Sequence, residues 1–220
     1  HAQWIETIGE WKREQPLTYA KGDKYLKPQH VVRVLNEITG GNAIITTEVG
    51  QNQMWAAQFY DFDKPRTLIT SGGLGTMGYG FPAAIGAQVA FPNKLVIDIA
   101  GDGSIQMNIQ EMATAVQNKL PVKIVILNNT YLGMVRQWQE LFYKHNYSST
   151  SMTGQPDFVK LAEAYGAEGY RIMTEEELAP TLKKALASPN TAIIDVVVEP
   201  EEDVYPMVPA GASLDEMLLV

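Results

Sequence analysis

Lys94-Leu-Val-Ile-Asp-Ile-Ala-Gly-Asp-Gly-Ser104 and Val122-Lys-Ile-Val-Ile-Leu-Asn-Asn129 are the two stretches that decide the fold. Each is an apolar, β-branched run that ends abruptly in small polar residues, the pattern of a strand buried on both faces in a parallel sheet. A helical stretch from about Asn108 to Asn118 lies between them, so the two strands and their connection read as one βαβ unit. Ligands of open parallel sheets bind outside the carboxyl ends of the strands, which is where Asp102 and Asn129 would emerge together. A carboxylate beside a carboxamide is a hard-oxygen pair suited to Mg²⁺, an ion that takes few protein ligands and completes its octahedron with phosphate and water. Gly101 and Gly103 would let backbone amides approach those phosphates.

The spacing of Gly101-Asp-Gly-Ser104 to Asn128-Asn129 resembles the diphosphate-binding motif of enzymes that use thiamine diphosphate (ThDP). Three further stretches, Val49-Gly-Gln-Asn-Gln-Met-Trp-Ala-Ala57, Gly72-Gly-Leu-Gly-Thr-Met-Gly-Tyr-Gly80 and Asn128-Asn-Thr-Tyr-Leu-Gly-Met-Val-Arg-Gln-Trp-Gln139, are similar to large catalytic subunits of the acetohydroxyacid (acetolactate) synthase family. The likeness runs over nearly the whole chain and includes Val204-Tyr-Pro-Met-Val208.

The resemblance implies roles residue by residue. Asp102, Asn129 and the backbone carbonyl of Tyr131 would hold Mg²⁺. Val49, Gly50, Gln51, Asn52, Gly103, Ser104, Gly133 and Met134 would surround the diphosphate. Many relatives carry His at the position of Asn52, where Asn still donates a hydrogen bond but carries no charge. The glycine-rich turn, with Gly75 and Met77, would approach the cofactor's rings, Met77 as the apolar wedge that keeps them bent. Met77, Met134 and Trp138 would stand at the reacting end; Met134 and Trp138 are four apart and so share a helix face. Trp138 would meet the second 2-keto acid and herbicide inhibitors, under a C-terminal segment containing Ala210. The activating glutamate of the family lies in an amino-terminal domain of a neighbouring subunit. Glu48 is therefore read as a strand-end or helix-N-terminal acid, and these residues alone are expected to be catalytically silent.

Gly73-Leu-Gly-Thr-Met-Gly78 also matches G-x-G-x-x-G, with Asp98 about twenty residues on, as a dinucleotide-binding turn would require. Against a non-catalytic NAD(P) module stand the short polar-tipped strand before the turn, its mid-chain position, and the unexplained GDGS and NN pair. Another ThDP carboligase or decarboxylase, such as a pyruvate oxidase, is the nearer alternative; the Met134/Trp138 helix and the Val204-Tyr-Pro-Met207 tail favour the synthase.

Working outward, β and α patterns alternate regularly. Helices are expected at Pro28 to Ile38, Gln51 to Tyr60, Tyr79 to Phe91, Gly133 to Phe142, Pro156 to Tyr165 and Glu175 to Ala187. Strands are expected at Ala43 to Thr47, near Thr67 to Thr70, near Tyr170 and at Ala192 to Val198. This is an α/β fold, a doubly wound parallel sheet with helices on both faces. Residues 1–27 read as a connector from an upstream domain, with Trp4, Ile5, Ile8 and Trp11 at helical spacing. Residues 28–198 form the ThDP/Mg²⁺ domain and residues 199–220 a segment near the site entrance.

Composition sets limits. The chain has 220 residues, 45% of them hydrophobic, enough for one core. A net charge of −8, with no long Lys/Arg cluster, argues against nucleic acid. No apolar run approaches the roughly 20 residues of a membrane helix. The absence of cysteine removes disulfides and thiolate chemistry and suits a reducing cytosol; a plastid is the expectation for a photosynthetic eukaryote. Three histidines supply little acid–base apparatus, so the chemistry is expected to come from a cofactor. The missing initiator Met is read as a sign of a fragment. The resemblance adds pyruvate and 2-ketobutyrate as substrates, FAD in the full enzyme, a second catalytic subunit and a regulatory subunit.

Overall fold

The computed structural model describes residues 1–22 and 24–219; Asp23 of the expected connector and Val220 of the C-terminal segment lie outside them. Six strands form one sheet: β1 (Ile44–Thr47), β2 (Leu68–Thr70), β3 (Val96–Gly101), β4 (Lys123–Asn128), β5 (Glu168–Ile172) and β6 (Ala192–Val197). Every pairing is parallel, and the strand order is β2-β1-β3-β4-β6-β5. The chain therefore winds one way from β1 to β2 and the other way from β1 to β3, which puts the topological switch point between β1 and β3.

The helices are α1 (Ala2–Glu14), α2 (Pro28–Thr39), α3 (Gln51–Phe59), α4 (Gly80–Ala90), α5 (Met112–Gln117), α6 (Gly133–Phe142), α7 (Phe158–Tyr165) and α8 (Glu175–Ala187). Alternate residues of the central strands serve opposite faces, as period-two geometry requires. Ile97, Ile99, Val125 and Leu127 pack with Val31, Leu35, Trp55 and Phe59 of α2 and α3 and with Leu178 and Leu182 of α8. Val96, Ala100, Ile124 and Ile126 pack with Phe81 and Ala84 of α4, Met112 of α5, and Phe158 and Ala162 of α7. The result is the three-layer doubly wound architecture the sequence predicts.

Local chemistry sets the helix ends. Pro28 opens α2, and Gly40 closes it in the left-handed region at φ +57°. Asp157 caps α7 by accepting from the amides of Val159 and Lys160, so this helix starts at Phe158 and not at Pro156. Thr174 and Glu177 form a capping box on α8.

The expected helix from Asn108 to Asn118 is different. A 3-10 segment spans Ile105–Glu111, the backbone breaks at Asn108 (φ −134°, ψ 32°), and only Met112–Gln117 is α-helical. The expected span reads as one helix because Ile109 of the 3-10 piece and Met112 and Ala115 of the α-helical piece pack into one cluster. The N-terminal α1 contains no buried residue, while Leu26 bridges to Val198 and ties the end of the expected connector to the sheet.

Candidate cofactor site

The cleft sits at the carboxyl ends of β1, β3 and β4, across the switch point. Val49 and Gly50 come from the end of β1, Gly101 to Ser104 from the end of β3, Leu127 and Asn129 from β4, and Gly133 and Met134 from the first turn of α6. Gln51, Asn52, Tyr131 and Met77 complete the lining named from the sequence. Twelve of the expected positions thus converge. Gly75 does not reach the cleft; it is exposed, in a left-handed turn (φ +71°) whose amide bonds Ser71. Trp138 is one helical turn beyond Met134 and stands 50% exposed outside the cleft.

The chain closes tightly around small residues. A Cβ on Gly133 would lie 2.0 Å from Oε1 of Gln51 and 2.8 Å from Nδ2 of Asn129, and one on Gly103 would lie 2.6 Å from Leu132. Gly50 adopts φ +146° just before α3, whose first residues Gln51 and Asn52 line the cleft, so a helix N-terminus with its unpaired amides borders the site.

Asp102 is the chemical centre. It is 1% exposed, and neither carboxylate oxygen has a hydrogen-bond partner. Burial pushes its pKa up to about 7; the amides of residues 102, 129 and 130 lie near enough to lower it in part without forming a well-aligned hydrogen bond, and Asp195 raises it further. A buried carboxylate left with both oxygens free is costly, unless a cation satisfies it. The neutral donor stands beside it: Nδ2 of Asn129 donates to Gln51 Oε1 at 3.1 Å, while its Oδ1 accepts from the Tyr131 amide at 3.1 Å. The loop from Asn129 to Leu132 is braced by Thr150 to Met152 through Leu132 N–H to Thr150 O (2.8 Å) and Met152 N–H to Thr130 O (2.7 Å). One carboxylate among neutral oxygens, in a site where the described residues hold no cluster of three His, Cys, Asp or Glu, fits an ion that takes most of its ligands from phosphate and water.

Two expected side-chain roles change. Both Nδ2 hydrogens of Asn52 are spent on the carbonyls of Glu48 and Ile99, each at 2.9 Å. Its free atom is Oδ1, an acceptor, so it cannot donate to a diphosphate as its residue type led us to expect. Ser104 Oγ accepts from the Gly101 amide at 3.2 Å and locks the turn.

Gln137 escaped the sequence reading, although it is fully buried. Its Oε1 accepts from Gln51 (3.0 Å) and from the Val204 amide (2.9 Å), and its Nε2 donates to Val204 O (2.9 Å). Gln51 also donates to Glu202 O at 2.9 Å. An uninterrupted buried chain thus runs from Asn129 through Gln51 and Gln137 to residues 202–204. The available signal was a polar residue four after Gly133, on the inward face of α6. Ala210, expected over the entrance, is exposed and lies outside the cleft lining.

The dinucleotide alternative fails here. Asp98 is fully buried in mid-strand, accepts from Thr46 Oγ1 at 3.0 Å and cannot reach a ribose.

The sequence profile of the family described as "Thiamine pyrophosphate enzyme, C-terminal TPP binding domain" matches residues 48–196. The chain belongs to this family. The TPP (thiamine pyrophosphate, that is ThDP) binding domain covers β2 to β5 and all but the last residue of β6. Over 223 residues the chain is 50% identical to the mitochondrial acetolactate synthase catalytic subunit of Saccharomyces cerevisiae, covering 99% of this chain and 32% of that protein. Over 219 residues it is 49% identical to the acetolactate synthase isozyme 3 large subunit of Escherichia coli (98% of this chain, 38% of that one). It is 45% identical over 222 residues to acetolactate synthase 1, chloroplastic, of Nicotiana tabacum (98% and 33%). This TPP-binding chain spans about a third of the length of the curated relatives it matches. Among its described residues no helix is long and apolar enough to cross a membrane.

Proposed function

We propose that this TPP-binding domain holds ThDP through Mg²⁺ and serves an acetolactate synthase large subunit. One observation carries the reading: a buried carboxylate, Asp102, keeps both oxygens unpartnered beside Asn129 in a glycine-lined cleft at the switch point. Asp102 supplies the one anionic ligand, Asn129 Oδ1 and the Tyr131 carbonyl the neutral ones. The amides opening at Gly50–Gln51 and the close approach allowed at Gly103 and Gly133 receive the diphosphate, and Met77 and Met134 bound the ring end.

Bound ThDP supplies a nucleophile and electron sink for breaking a bond next to a carbonyl. The whole protein would use it to decarboxylate pyruvate and join the two-carbon unit to pyruvate or 2-ketobutyrate, a step toward branched-chain amino acids. Both oxygens of Glu48 already accept main-chain amides, so proton relay to the aminopyrimidine falls to a glutamate of a neighbouring catalytic subunit. FAD and a regulatory subunit belong to the same reading of the whole protein, and Trp138, exposed beyond Met134, is its second-substrate contact.

The test is titration calorimetry with ThDP, with and without Mg²⁺. The parent chain should bind only with Mg²⁺, Asp102→Ala should lose that dependence together with most of the affinity, and Asn129→Ala should weaken binding less, because water replaces a neutral ligand. Unchanged Mg²⁺-dependent affinity in Asp102→Ala would remove the metal assignment.

A further inference from the structure

The glycine-rich turn between β2 and α4 is gripped at one residue, Gly78, through the two peptides that flank it. Glu48, fully buried at the end of β1, accepts from the Gly78 amide at 2.6 Å and from the Phe81 amide at 2.9 Å. Asn108 Nδ2 donates to the Gly78 carbonyl at 2.7 Å. The same Asn108 is the residue at which the helical backbone of 105–117 breaks.

The fit around this residue is close. Gly78 has φ +89°, and a Cβ there would lie 2.8 Å from Met107 Cβ and from Asn108 Nδ2. A Cβ on Gly80 would lie 2.4 Å from Glu48 N, from Thr47 C and from Asp98 Oδ1. Residues 72–76, by contrast, are exposed, and Leu74 is 90% so. Immediately before the gripped residue comes Met77, the one residue of the turn that lines the cleft. The turn follows a three-residue edge strand, and the Gly75 and Thr76 amides bond only within it, to Ser71.

The grip is strong for its size. A buried carboxylate accepting two amides makes charge-assisted bonds, and it also satisfies orphan donors at the positive end of α4. Burial raises both carboxyls of the neighbouring pair; Asp98 is pushed well above the usual carboxylate range by its burial and by Glu48 beside it, while the amides of Phe81 and Gly78 act to lower Glu48.

We propose that Glu48 and Asn108 are positioning residues that clamp Gly78 through its two flanking peptides and thereby hold Met77 against the rings of the cofactor. This rests on the reading of Met77 given above as a ring contact. The test is calorimetry of the full chain with Mg²⁺ and two probes, ThDP and inorganic pyrophosphate, the second having the phosphates without the rings. Asn108→Ala removes one side of the clamp at a half-buried position. Glu48→Gln keeps the shape of the other side but turns one acceptor into a donor that faces an amide.

Each variant should bind ThDP about tenfold more weakly, the scale of one charge-assisted or buried hydrogen bond, and bind pyrophosphate like the parent. A thermal melt establishes that each is folded. Parent-like ThDP affinity in both folded variants, or an equal loss for both probes, would overturn the clamp. Met77→Ala separates the two layers of the argument. If it is silent while Asn108→Ala and Glu48→Gln lose ThDP selectively, the clamp stands and the ring contact assigned to Met77 falls. If Met77→Ala alone shows the selective loss, the clamp is refuted and the contact stands.

Discussion

Asp102 shows how a single residue can work against the fold that carries it. Its carboxylate is buried without a partner, and an unsatisfied buried polar group costs about 1–3 kcal/mol, more when charged. The metal-free chain with Asp102→Asn should therefore be more stable than the parent by about 1–3 kcal/mol in urea unfolding near pH 8, and it should gain nothing from added Mg²⁺. Equal stability of the two would mean that the carboxylate already has a partner. Asp102 and Asn129 were legible because each ends an apolar run. Asn52 was legible as a lining residue but not as a spent donor, since only the folded backbone places the carbonyls of Glu48 and Ile99 within reach of its carboxamide. Gln137 was hidden for a related reason. Its partners Gln51 and Val204 lie 86 and 67 residues away in the chain, and no local pattern announces such a bond.

At the scale of elements, α6 and β4 carry contrasting lessons. Four residues of α6, Met134, Val135, Trp138 and Phe142, suggest a core face, yet Val135, Trp138 and Phe142 are about half exposed and the buried members are Arg136 and Gln137. Arg136 is held by Glu140 and by Asp203 at 2.5 Å, so the inward side is polar and bonds the C-terminal segment. Trp138→Leu should accordingly change stability by less than about 1 kcal/mol, against the 3–5 kcal/mol of a core tryptophan truncation. In the full-length protein it should lower the preference for 2-ketobutyrate over pyruvate by about tenfold, since a methylene against an apolar wall is worth about 1–3 kcal/mol. A melt and a product ratio under substrate competition read both; an unchanged ratio would leave Trp138 without a substrate role.

The other end of β4 is Lys123, which is buried and donates to the carbonyls of Ser188 (2.7 Å) and Asn190. Burial lowers its pKa from 10.5 to about 8, with Glu168 opposing. Between those values the unfolded chain binds the extra proton, so Lys123 makes stability rise with pH across that window. Lys123→Met should flatten this rise in urea unfolding measured at pH 8 and at pH 10.5, and an unaltered slope would show that the ammonium is solvated in the fold. The sequence hid this lysine because one charge inside Val122-Lys-Ile-Val-Ile-Leu127 is indistinguishable from a solvent-facing strand end.

For the whole molecule, the alternation of strand and helix patterns was enough to read a doubly wound parallel sheet, because strands buried on both faces stay apolar throughout and Gly or Pro marks their ends. Strand order was not readable. That β6 sits between β4 and β5, and that β1 is the point of reversal, follows from long-range pairing with no local signature. Once that order is known, the location of the cleft follows, since the reversal between β1 and β3 leaves a crevice where the connecting helices diverge. Family membership names thiamine pyrophosphate as the ligand of the domain, and burial and unsatisfied oxygens mark the candidate site within it. The most direct test of the central claim is anomalous diffraction from crystals grown with ThDP and with Mn²⁺ in place of Mg²⁺. We predict a peak within metal–oxygen distance of Asp102 and Asn129, about 2.2 Å, with diphosphate density beside Gly103 and Gly133. A peak elsewhere, or ThDP bound in the cleft with no metal at Asp102, would contradict it.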